Sequence, residues 1–159
     1  LDPLRLRRHI INECEASTVL DCTGASRKSA KIIEDQVASI KSPGNPLDAM
    51  HEIKKSAYKL KASLLRGSIP ELAIGLKASW EAKKATSSSI SNDQIMNLEQ
   101  IVLSAGAISM KVSGAGGGGF IMILTSPEKK HTIIEVLQGQ NGQVVNFEFT
   151  SGGVMSWRI

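Results

Sequence analysis

Aromatic side chains are scarce in this sequence: Phe, Trp and Tyr together make up 4% of its 159 residues. A surface that stacks single-stranded bases needs more of them, so no nucleic acid is expected as a partner. Cysteine occurs twice, at Cys14 and Cys22, which is neither a disulfide framework nor a set of metal ligands. No apolar run approaches the roughly 18 residues that span a bilayer. No secretory leader pattern is present either. The expectation is a cytoplasmic protein with no membrane partner. An initiator Met is also missing, since the sequence opens "LDPLRLRR". That raises the expectation of a piece of something longer.

Apolar residues are plentiful at 42%, enough for a real core, and the length suits one domain. The formal charge is +4. The lysines fall in scattered pairs (Lys54 and Lys55, Lys83 and Lys84, Lys129 and Lys130), a pattern of solvated helix faces. A mild basic excess also suits an anionic small substrate.

The period of the apolar residues changes along the chain. "STVLDCTG" (17–24) holds a short strand. "SRKSAKIIEDQVASI" places Ile32, Ile33, Val37 and Ile40 on one helical face. "SPGNP" (42–46) is a break, with Asn45 as cap and Pro46 at the first helical position. The next helix carries Leu47, Met50, Ile53, Ala57, Leu60 and Leu64, and Gly67 ends it. Ser68 with Glu71, and Ser91 with Gln94, read as capping boxes of two further helices. Strands then replace helices. "ISMKVS" and "FIMIL" flank a glycine run, which predicts adjacent antiparallel strands over 108–113 and 119–124. A helix from Ser126-Pro127 through Leu137 follows. "QVVNFEFT" alternates, with Val145, Phe147 and Phe149 on one face, and "VMSWRI" reads as a last strand.

The glycine run, "KVSGAGGGGF" (111–120), has five glycines in six positions, and each costs roughly 0.5–1 kcal/mol relative to alanine in regular structure. The run formally fits G-x-G-x-x-G, but that fingerprint must lead into a helix, and "FIMILT" is a strand. It is no phosphate-binding Walker loop, because Phe120 and Ile121 stand where Lys and Ser/Thr belong. A plain hairpin loop explains one or two glycines. Five point to backbone that comes close to another object, with N–H groups forming an anion-binding concavity.

These residues resemble the third signature motif of the GHMP kinases. "CTGASRKSAKIIEDQ" (22–36), "SWEAKKATSSSIS" (79–91) and "SAGAISMKVSGAGGGGF" (104–120) are together similar to the bacterial branch of D-glycero-D-manno-heptose 7-phosphate kinases. One departure is "AISMK", where that branch carries A-x-G-G-K. The resemblance implies an α+β fold, a ferredoxin-like plait with additional N-terminal helices. It implies that residues 1–159 are a single GHMP kinase C-terminal domain, the N-terminal ATP-binding half being absent from this chain. That half would be the chain's partner and would bind ATP and Mg²⁺. The family's acidic residue is also expected there. The D-Q pairs here, Asp35-Gln36 and Asp93-Gln94, lie in the wrong region, so no catalytic residue is expected in this chain and no metal ligand either.

The resemblance further implies that Gly114, Ala115, Gly116, Gly117 and Gly118 line the cleft and offer N–H groups to a phosphate or sugar oxygen. Arg27 would hold a substrate phosphate on the same side; its bland alternative is a surface arginine at a helix start. Thr23 would bond substrate, or simply belong to an N-terminal turn. Lys111 points into the cleft or out of the sheet, and Lys83 or Lys84 reaches the substrate or stays solvated. Cys22 reads as a small buried residue rather than a nucleophile, and His9, His51 and His131 receive no role. The expected function is the substrate side of a sugar kinase that moves the ATP γ-phosphoryl to a sugar or sugar-phosphate hydroxyl, with heptose 7-phosphate favoured. The alternatives are a kinase of a simple hexose or another GHMP substrate, and a non-catalytic ferredoxin-like binding module.

Overall fold

Four short strands organise the chain: β1 (Thr18–Cys22), β2 (Ser109–Val112), β3 (Phe120–Leu124) and β4 (Gln143–Val145). They form one sheet in the order β2-β3-β1-β4. In this computed structural model residues 4–24, 29–41, 45–150 and 152–158 are described. β3 lies between β1 and β2 and runs antiparallel to both, and β4 runs antiparallel to β1. β1 and β2 are therefore parallel to each other and need a crossover. With a helix between β3 and β4 as well, the topology is the split β-α-β of a ferredoxin-like plait. The strands expected on either side of the glycine run are adjacent and antiparallel, with Val112 opposite Ile121.

The first crossover is long. It holds α2 (Ser29–Lys41), α3 (Asn45–Arg66), α4 (Ile69–Lys84), a 3₁₀ turn (Ser88–Ile90) and α5 (Asp93–Ser104). α1 (Arg8–Ala16) precedes β1, and α6 (Lys130–Gln138) joins β3 to β4. β3 reads "FIMIL" because both its faces are covered. On one face Ile121 and Ile123 pack with Ile95 and Val102 of α5 and Ile133 and Leu137 of α6. On the other, Leu124 and Met122 meet Ala73 and Leu76 of α4.

The long crossover departs from the simple helical pattern. α3 turns Ala49, Ser56 and Ser63 inward, while Leu47 and Met50 are exposed and so is Ala57. Small residues win the inner face because α3 and α4 approach closely: a Cβ added at Gly75 would stand 2.9 Å from Leu60 Cδ2. α2 buries Ile32 but leaves Ile33 50% and Val37 46% exposed. Polar bonds hold it instead. Ser89 Oγ donates to Asp35 at 2.6 Å, and Gln36 Nε2 donates to Thr86 Oγ1 at 2.8 Å.

Both expected capping boxes are corrected. Ser68 precedes α4 but its side chain makes no cap bond, and Glu71 pairs with Arg66. α5 is capped by Asn92, whose Oδ1 accepts from Ile95 N–H at 2.9 Å, not by Ser91. The C-terminal strands are corrected too. β4 ends at Val145. Phe147 and Phe149 stack edge to face with centroids 5.5 Å apart, outside the sheet. Residues 152–158 form no strand and are exposed; among the described residues no strand pairs with them.

Ile123→Ala is expected to lower stability by about 2–5 kcal/mol, the usual cost of emptying a packed aliphatic site. Ile33→Ala is expected to change it by no more than about 0.5 kcal/mol. The urea midpoints of the two variants check both.

Candidate functional site

The glycine run forms a loop that leaves the sheet between β2 and β3. It turns by way of left-handed backbone, with φ positive at Gly114, Gly116, Gly117, Gly118 and Gly119. Space demands glycine at one of these as firmly as conformation does. A Cβ on Gly116 would lie 3.0 Å from the Ile90 carbonyl oxygen and 3.2 Å from its Cα. At Gly114 an added Cβ would meet nothing within 4 Å. The same holds at Gly119, so the middle of the loop is seated on protein while added Cβ atoms at its two ends would find open space.

The seat is made by hydrogen bonds. Gly117 N–H donates to Ile90 O at 2.8 Å, and Asn92 Nδ2 donates to Gly117 O at 3.2 Å. Thr23 Oγ1 accepts from Gly119 N–H at 3.0 Å and lies 3.1 Å from Gly119 O. Lys83 Nζ donates to Gly114 O. The 3₁₀ turn and the Asn92 cap escape sequence reasoning, because "SSSIS" carries no residue that marks chemistry. Asn92 three residues before Ile95 was the one legible signal, since Asn is a strong cap.

A cleft of about 450 Å³ opens beside the loop. Gly114, Ala115, Gly116 and Gly118 line it, with Cys22 and Phe120 on the neighbouring strands. Among the described residues, the N–H groups of Gly114, Ala115 and Gly118 find no acceptor in the protein. Gly117 is buried and turned onto Ile90, away from the cleft. Thr23 is 5% exposed and braces the loop rather than lining the cleft. Cys22 lies half-buried on the cleft wall, so it is not the fully buried residue expected; Cys14 is. Arg27 lies outside the described residues.

The two lysines at the end of α4 diverge. Lys84 Nζ binds Glu81 at 2.9 Å and Glu99 at 3.0 Å and lies over the Trp80 ring. Burial works to lower its pKa, but the bonds to those carboxylates win and hold it up. Lys83 carries no such pairing, and burial pulls its pKa down. Lys111 Nζ donates to Ser79 Oγ at 2.8 Å. Burial, and then the charge of Lys83, lower its pKa. His131 pairs with Glu135 within α6. No group of three or more His, Cys, Asp and Glu that could hold a metal ion occurs among the described residues.

Beyond the loop, Asp21 is 1% exposed and its Oδ1 has no hydrogen-bond partner. It borders a small polar cavity of about 100 Å³ with Gln94, Asn97, Gln140 and Asn141. Burial raises its carboxyl above the ordinary 3.8.

A glycine loop with N–H groups that find no acceptor among the described residues thus borders a cleft beside a ferredoxin-like sheet. Residues 60–143, more than half of the chain, match the family described as GHMP kinases C terminal, and the chain belongs to that family. It is 41% identical over its whole length to the D-glycero-alpha-D-manno-heptose 7-phosphate kinase of Campylobacter jejuni subsp. jejuni, and covers 47% of that protein. The chain thus spans about half the length of the curated relative it matches. A crystal structure from Campylobacter jejuni is 39% identical and superposes with TM-score 0.70 over 99% of this chain and 44% of its own. The D-glycero-D-manno-heptose 1-phosphate kinase of Bacteriodes thetaiotaomicron is 31% identical, with TM-score 0.68 over 99% of this chain and 40% of its own. No helix among the described residues is long and apolar enough to cross a membrane.

The raised pKa of Asp21 sets a pH dependence. The folded chain keeps a proton that the unfolded chain releases at its ordinary value of 3.8, so stability falls as pH rises from there through the raised folded value. Asp21→Asn is therefore expected to melt above the unmodified protein at about pH 7, with the difference vanishing at pH values below 3.8. Thermal melts across that range check the sign.

Proposed function

We propose that this chain is the substrate-side, C-terminal part of an ATP-dependent sugar kinase that moves the γ-phosphoryl of ATP to a hydroxyl of a heptose phosphate. The observation that carries this is the glycine loop seated on Ile90, with N–H groups unused among the described residues at a cleft of about 450 Å³. The heptose phosphate as substrate class is supported by the relatives, which are named as heptose phosphate kinases.

Phosphoryl transfer rests on positioning and on neutralising the charge of the transferring group. In this reading Gly114, Ala115 and Gly118 donate N–H groups to an anionic oxygen in the cleft. Fixed donors of this kind act without reorganising when charge develops. Thr23, Asn92 and Lys83 hold the loop in the conformation that presents them. Mg²⁺ on the nucleotide phosphates would supply further neutralisation. In this reading the N-terminal half would hold the metal and the ATP in the cytoplasmic enzyme.

A coupled assay of ADP release with ATP, using heptose 7-phosphate and simple hexoses, tests the proposal. Residues 1–159 alone are expected to give no turnover, and supplying an N-terminal half is expected to give turnover with heptose 7-phosphate. Preference for a simple hexose would change the substrate assignment. No turnover with any sugar would favour a non-catalytic binding module. In the active protein Gly116→Val is expected to cut kcat/KM by about 100-fold, the scale of a roughly 1 Å displacement of aligned groups. The cause is its collision with Ile90, which lifts the loop from its seat.

A further inference from the structure

Lys83 and Lys111 are two half-buried ammonium groups with no carboxylate between them. Lys84, one residue along α4, shows what this protein does with a cation it neutralises itself, since Glu81 and Glu99 both reach it. For Lys83 and Lys111, no ion pair occurs among the described residues. Their partners are neutral, the Gly114 carbonyl and the Ser79 hydroxyl. Each lysine feels the cost of leaving water, and Lys111 feels the charge of Lys83 as well. Holding two like charges near each other without a counter-ion is unfavourable, and an anion placed between them would reverse that sign.

Their position selects where such an anion sits. Lys111 lies opposite Met122 on β3, and Cys22 lies opposite Phe120. Alternation along the strands puts Lys111, Phe120 and Cys22 on the same sheet face, and the last two line the cleft. Lys83 comes to that face from the end of α4 and bonds Gly114, which also lines the cleft. Neither lysine lines the cleft itself, but Lys83 reaches its edge at Gly114 O, and Lys111 shares a sheet face with Phe120 and Cys22, which do line it.

We propose that Lys83 and Lys111 form a binding site for the phosphate of a sugar phosphate, the group that does not react, beside the glycine-loop cleft on the side of the sheet that α4 covers. This rests on the kinase reading given above. Two ammonium groups suit a phosphomonoester, which carries close to two negative charges at neutral pH. The site would anchor the acceptor by its phosphate, so that the loop meets the other end of the sugar. The same chemistry would accept a nucleotide phosphate, and the experiment separates the two.

The test uses the full-length protein that carries this chain and compares it with Lys111→Met. The KM for heptose 7-phosphate is expected to rise about 10- to 100-fold, the scale of one lost charged hydrogen bond to an anion. The KM for ATP, and turnover of the same heptose without its phosphate, are expected to change by less than about twofold. A rise in the KM for ATP with that for the sugar phosphate unchanged would assign the pair to the nucleotide and overturn the proposal. Inorganic phosphate, titrated while the side-chain ammonium signals of Lys83 and Lys111 are followed by NMR, reports without turnover. Saturable shifts of both signals in the unmodified protein are expected. If they occur in a protein that phosphorylates no sugar, the anion site stands and the kinase reading falls. If turnover is present, no shift occurs and Lys111→Met leaves the sugar-phosphate KM alone, the site is overturned and the kinase reading remains.

Discussion

The Gly117 N–H donated to the Ile90 carbonyl at 2.8 Å is the contact on which the cleft depends. It brings the backbone of the loop so close to the 3₁₀ turn that no side chain fits at Gly116. Once that bond is made, the middle of the loop is fixed, and its two ends are held by Lys83 at Gly114 O and by Thr23 at Gly119 N–H. Positive φ through the run is the cost of so tight a path. Asn92 then serves twice. Its Oδ1 caps α5 and its Nδ2 holds Gly117 O, so the start of a core helix and the position of the loop are set by one side chain.

Polar contacts, more than apolar ones, locate the elements around that seat. α2 is tied to the segment that carries the 3₁₀ turn by Asp35–Ser89 and Gln36–Thr86, while much of its apolar surface faces outward. Thr23 links the end of β1 to Gly119. The hydrophobic core under the sheet fixes the plane of the strands, and these bonds decide how the loop stands on it. The two lysines that end α4 follow the same division. Lys84 is locked into the scaffold by its carboxylates, and Lys83 reaches the loop with one bond to a neutral carbonyl.

Much of this was legible in the residues. The strands flanking the glycines, the helices of the crossover and the covered central strand follow from periods of two and of three to four in the apolar residues. The glycine run announced a loop with unusual backbone, and its motif announced the family. Legibility failed where partners are distant. Ser68 with Glu71 has the spacing of a capping box, yet Glu71 turns to Arg66. "QVVNFEFT" alternates like a strand, yet Phe147 and Phe149 find each other instead of a sheet neighbour. Ile33 and Val37 repeat like a core face, yet the described fold leaves each about half exposed.

Local pattern was enough for the secondary structure of most of the chain, the need for left-handed backbone between β2 and β3, and the family to which the domain belongs. Those are local properties, set by periodicity, by the absence of a Cβ and by short motifs. Long-range packing chose which glycines line the cleft and which face Ile90, made Thr23 a brace of the loop, and sent Lys83 to Gly114 and Lys111 to Ser79 while Lys84 turns to Glu81 and Glu99. The physical reason is that each of these depends on a partner many residues away. Hydrogen bonds and charge pairs act within a few ångströms, and no local pattern encodes which distant group the fold brings into that range.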